Sequence, residues 1–104
     1  MSETIKIGVK TNPYYEGVKT LDGSLYRLTI RWNPGTEKWY LDLNGLNNDV
    51  AINGIALLCG KELLGQYGYY ELGQLWVIDN SGLDEDPDYY EFGSRWTLEY
   101  TTVN

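Results

Sequence analysis

Residues 24–43 read SLYRLTIRWNPGTEKWYLDL. Tyr26, Leu28, Ile30 and Trp32 fall on one face of an extended chain, and Arg27, Thr29 and Arg31 fall on the other. A period of two is the mark of a half-buried strand. Asn33-Pro34-Gly35-Thr36 reads as a turn. Beyond it Trp39, Leu41 and Leu43 alternate with Lys38, Tyr40 and Asp42, which gives a second strand. Two such strands joined by a turn predict an antiparallel hairpin.

The same period continues outward from the hairpin. Residues 4–10 place Ile5, Ile7 and Val9 on one face, and a weaker strand is expected over residues 17–20. Residues 44–49 form a turn cluster. Residues 50–58 read as a third strand of the central run, with Gly54 as a bend or bulge. Four glycines between residues 60 and 73 rule out a long helix, so that segment reads as a structured loop. Residues 75–78 form a short apolar strand, and residues 81–93 an acidic loop containing Pro87. Residues 95–103 form the last strand, with Trp96, Leu98 and Tyr100 on one face. About six short strands with turn signals between them predict a small all-β fold, a mostly antiparallel barrel or sandwich.

The chain has 104 residues, which suits one domain over residues 1–104. Hydrophobic content of 42% and charged content of 22% are those of a folded chain, not a disordered one. Ten tyrosines and four tryptophans stand against one phenylalanine. Rings with a polar tip suit half-buried sites and interfaces, and fifteen aromatics exceed what so small a core needs. Some are therefore expected at the surface. The net charge of −7 argues against bound nucleic acid and against anionic membranes. The N-terminus carries no apolar stretch of the secretory kind, and no run approaches membrane-spanning length. Cys59 is single, so it makes no internal disulfide and is expected to be a small buried residue.

The chain contains no histidine, which removes the commonest general base and the Ser-His and Cys-His pairs. No phosphate-binding loop is present. Asp84-Glu85-Asp86-Pro87-Asp88 is the densest carboxylate run. It lacks the alternating ligand order of a calcium loop and reads as a solvated acidic loop. No cofactor or metal is expected. Tyr14-Tyr15, Tyr69-Tyr70 and Tyr89-Tyr90 are three doublets. Neighbours in a strand point to opposite faces, so each doublet places one ring in and one ring out. The outward rings either are incidental or anchor a partner surface, where such residues are enriched.

The ordered set of segments resembles the phage baseplate plug family. The resemblance is carried by Arg31-Trp32-Asn33, by residues 39–43, by residues 54–57, and by Leu63, Leu64 and Tyr67. It continues through Leu72, Gly73 and Leu75, then Asp86, Pro87 and Tyr90, then Gly93 and Arg95, and covers roughly residues 4–100. Phe92 and the expanded acidity of residues 84–88 depart from the family pattern, and residues 11–20 match it weakly.

The resemblance implies a structural, non-enzymatic virion protein made in the host cytoplasm. It implies a place at the distal end of the tail tube, beside hub, tube and spike proteins, where the plug helps to close the tube. A homo-oligomer within the assembly is left open, with one, three or six copies compatible with a tail tip that passes from sixfold to threefold symmetry. Leu64, Tyr67, Leu72, Leu75 and Val77 are then expected in the core. Tyr14, Tyr15, Tyr69, Tyr70, Trp76, Tyr89 and Tyr90 are the candidate partner contacts. Two readings from other classes stand beside it: a small carbohydrate-binding module, using exposed rings and acids, and a small hydrolase using two carboxylates.

Overall fold

The computed structural model describes residues 3–103, apart from the side chain of Tyr69. Seven strands make two antiparallel sheets. The first is β1 (Thr4–Ile7), β7 (Trp96–Thr101) and β6 (Gln74–Asp79), in that order. The second runs β2 (Tyr14–Leu21), β3 (Ser24–Asn33), β4 (Lys38–Gly45) and β5 (Ala51–Ala56). Neither sheet closes on itself, so the barrel alternative falls and the sandwich stands.

The hairpin read from the sequence is β3–β4, paired from Tyr26↔Gly45 to Asn33↔Lys38. Its inward residues Tyr26, Leu28, Ile30, Trp39, Leu41 and Leu43 are all buried. They meet Ile7, Leu75, Val77, Trp96, Leu98 and Tyr100 from the other sheet in one core. Two sheets that are each apolar on one face can bury both faces only against each other.

Two strand boundaries, those of β2 and of the last strand, differ from the sequence reading in ways that shape the fold. β2 runs over eight residues rather than the four expected at 17–20, and a tight turn at Asp22-Gly23 joins it to β3. Both turn residues have positive φ, 52° and 81°, the pattern of a two-residue hairpin turn. The bulge expected at Gly54 is present. Asp42 faces two residues of β5, Gly54 has a φ of +80°, and its N–H donates to Asp42 Oδ1 at 2.7 Å. The last strand begins at Trp96 rather than residue 95, because a one-turn helix α1 (Phe92–Arg95) precedes it.

The glycine-rich segment between β5 and β6 is ordered. Leu57, Leu63 and Leu64 are buried, and a 3₁₀ turn spans Gly65–Tyr70. Cys59 bridges Val77 in parallel, and the Leu63 N–H donates to the Leu75 carbonyl. This segment therefore packs against the outer edge of β6. Cys59 itself is half-buried rather than fully buried, with its thiol pushed up by what burial it has. Its N–H is taken by Asp86 Oδ1 at 2.8 Å.

Candidate functional site

Five aromatic rings, those of Trp32, Trp39, Tyr89, Tyr90 and Phe92, pack together. The β3–β4 turn brings Trp32 and Trp39 together, with ring centres 5.4 Å apart. The β6–β7 connection lays Tyr89 and Phe92 on Trp39, at 5.8 and 4.2 Å. Trp39 and Phe92 are wholly buried. Tyr90 meets Tyr89 edge-on, at 5.4 Å and 83°, and is 85% exposed. A buried stack thus holds up an exposed ring, so Tyr90 is presented at little entropic cost to a neighbour.

The acidic loop that carries Tyr89 and Tyr90 is pinned rather than loosely solvated. The indole N–H of Trp39 donates to the Asp88 carbonyl at 2.8 Å, and that of Trp96 to the Glu85 carbonyl at 2.9 Å. Asp79, at the end of β6, is buried and receives both Arg95 Nε and Nη2, at 2.8 and 2.7 Å. The same carboxylate accepts from the backbone N–H groups of Ser81 and Glu85. The Arg95 guanidinium holds Asp79 well below the usual carboxylate range. Arg95 also reaches Glu85 Oε1 at 2.6 Å and lies over the Trp96 ring. Bidentate geometry and filled donors make this a well-satisfied pair.

Several carboxylates of this loop therefore have structural work. Glu85 binds Arg95, Asp86 caps the Cys59 N–H, and Asp88 accepts from the Glu91 N–H. Among the described residues no group of three or more acids or cysteines is placed to hold a metal ion. A recess beside the loop is lined by Trp32, Glu37, Asp86, Asp88, Tyr89 and Tyr90. The two tyrosines stand at right angles there, so they form no flat platform of the kind that stacks on a sugar face.

The seven predicted contact residues do not form one patch. Tyr89 and Tyr90 lie together at the aromatic end. Tyr14 and Tyr15 lie on β2, at a sheet edge. Tyr14 is 59% exposed, and its hydroxyl donates to Glu16. Tyr15 is half-buried, with its oxygen taking the Lys10 N–H at 2.8 Å and its phenol pushed up by burial. Tyr70 is half-buried against the core, and its hydroxyl donates to the Ala51 carbonyl. Trp76 is half-buried on the other sheet, and its Nε1 donates to Gln74. The ring of Tyr69 lies outside the described residues. Of the five expected core residues, Leu64, Leu75 and Val77 are buried, and Tyr67 and Leu72 pack at the core's margin.

The sequence reading missed Phe92, Trp32 and Trp39 as the support of Tyr90, and missed the Asp79–Arg95 pair. Asp79 and Arg95 close the ends of paired strands, since Asp79 lies opposite Trp96. Only the β6–β7 pairing itself could have pointed to them.

No helix among the described residues is long and apolar enough to cross a membrane. No curated protein matches the chain. The family model described as "Cyanophage baseplate Pam3 plug gp18" matches residues 3–103. The ordered segments singled out in the sequence fall inside that match. The chain belongs to the cyanophage baseplate plug family, and its role is accordingly structural, as a tail baseplate component of the virion that meets other baseplate components.

Proposed function

We propose that the protein sits at the distal end of the tail tube, among hub and spike proteins, and helps to close the tube before infection. The family match carries this reading. The geometry supports it through Tyr90, an exposed ring held on a buried stack, which is how interface anchors are presented. The protein acts as one β domain and works by contact rather than catalysis. In the acidic loop, Asp86 and Asp88 accept backbone N–H groups and Asp79 at its start is paired with Arg95. The net charge of −7 suits a surface beside a DNA conduit, since it repels passing phosphates. Tyr90 and Tyr14, the most exposed of the predicted contacts whose side chains are described, are its leading partner residues.

The test is a pull-down of tagged protein against the neighbouring gene products of its own operon, with bound chains identified by mass. Capture of tube, hub or spike proteins in fixed ratio supports the reading and gives the copy number. Retention on a polysaccharide column with no protein captured would move the assignment to glycan recognition. Retention on DNA at physiological salt would remove the conduit argument.

A further inference from the structure

The two sides of the sandwich differ in what covers them. On one side, residues 57–73 pack over the β5 and β6 edges. On the other, β1 and β2 end their sheets, and no described strand pairs with their outer sides. The direction of the β2 backbone follows from its ladder. The Trp32 N–H donates to the Pro13 carbonyl, and pairs that exchange hydrogen bonds alternate along an antiparallel ladder. Tyr15, Gly17, Lys19 and Leu21 therefore turn their backbone groups to β3. Tyr14, Glu16, Val18 and Thr20 turn theirs to the open side. An eight-residue strand thus presents four donors and four acceptors in a row.

Beneath this edge is a recess of about 110 Å³ between β1 and β2, lined by Ile7, Gly8, Tyr15, Gly17, Leu28 and Ile30. A Cβ added at Gly8 or Gly17 would meet nothing within 4 Å. Two residues from Gly17, on the same face of β2, stands Lys19, exposed and without a carboxylate at ion-pair distance among the described residues. Charge is unevenly divided along the sequence. Residues 1–31 hold five basic and three acidic side chains, net +2, whereas residues 32–104 hold three and twelve, net −9.

We propose that the open side of β2 receives an extended segment of a neighbouring baseplate chain, adding a fifth strand to this sheet. Strand addition takes its affinity from main-chain hydrogen bonds and its specificity from pockets for alternate side chains. The residue opposite Gly17 is aliphatic and enters the recess. The residue opposite Lys19, which points to the same face, is Asp or Glu. An inward lysine on an edge strand turns away apolar strands, and a second copy of itself, which would bring another lysine. A carboxylate at the matching position converts that barrier into recognition.

This inference rests on the baseplate reading, and the experiment separates the two. Backbone hydrogen exchange is compared between the free protein and the protein in purified virion tails. The amides of Glu16, Val18 and Thr20 are expected to exchange fast in the free protein and on the order of a hundredfold slower in tails. Equal rates in both would overturn the proposal and leave the baseplate role standing. Absence of the protein from tails by mass would instead remove the baseplate role itself. Val18→Pro deletes one open-side donor without breaking the β3 ladder, so it should melt as the parent does yet fail to enter tails. Lys19→Glu reverses the specificity charge on an exposed side chain and is expected to cut incorporation with the fold intact. Incorporation of both variants at the parent level would overturn the proposal, as would a free protein that dimerises through β2.

Discussion

The two edges of this sandwich end in opposite states. The edge at β6 is sealed by a segment that buries Leu57, Leu63 and Leu64. Glu62 fastens it, taking the N–H groups of Leu64 and Leu75 on one carboxylate oxygen at 2.8 and 2.7 Å. The edge at β2 has a glycine and an exposed valine where the sealed edge has leucines, and it keeps its backbone groups on the open side. A sheet edge left bare is a pairing template. One edge here is closed by the chain's own apolar residues, and the other is left with only charge to guard it. The sealed side adds buried apolar contacts to the fold, while the open side keeps unpaired backbone groups at its rim.

Substitutions on the sealed side should cost most. Leu64→Ala should cost about 3 kcal/mol, because it leaves a cavity in the sealed side. Urea unfolding measures it, and a change near zero would mean the segment is dispensable. Gly73→Ala should cost about 2 kcal/mol, since the added methyl would run into the Thr101 carbonyl oxygen. Glu62→Ala should cost about 1 kcal/mol by stranding two backbone donors, and hydrogen exchange at Leu64 and Leu75 would rise with it.

Acid acts on the aromatic end through Asp79. The folded pKa of Asp79 lies below its unfolded value, so its contribution is complete above the ordinary carboxylate range and is lost as pH falls through the lower, folded value. The unfolding midpoint should therefore hold from neutral pH to about pH 5 and fall below that. Asp79→Asn should flatten this acid limb while lowering stability at neutral pH, as read from the unfolding midpoint of each protein across the same pH range. The smallest effect belongs to the open edge. Gly17→Ala should be neutral or stabilising by about 0.5 kcal/mol, since the methyl has room and the unfolded chain loses freedom. A large loss there would show that the β2 edge is packed after all.

The legibility of the fold followed burial. β3 and β4 are covered on one face and polar on the other, so their alternation appears directly in residues 24–43. β2 has no such contrast, because six of its eight residues are exposed, and its length was missed. Its surviving signal was the Asp22-Gly23 dipeptide, a turn pair whose positive φ values suit those residues. Of the tyrosine doublets only Tyr14-Tyr15 lies in a strand, where Tyr14 points out and Tyr15 packs toward the core. Tyr89-Tyr90 lies in a bend of the acidic loop and Tyr69-Tyr70 ends a 3₁₀ turn, so the alternation of a strand does not govern them. The acidic run was visible, yet its pinning by Trp39, Trp96 and Arg95 was not, because those partners come from other strands.

The sequence by itself determined the β class, the central hairpin, most of the core and the family. Each is written in local periodicity or in the order of short segments, and both survive without knowledge of which strands meet. Only the tertiary structure decided that the sheets stay open, that Asp79 meets Arg95, that Trp39 carries Tyr89, and that one edge is sealed while the other is bare. Those outcomes depend on contacts between residues far apart in the chain, and no local pattern specifies which distant side chain will supply the missing half of a contact.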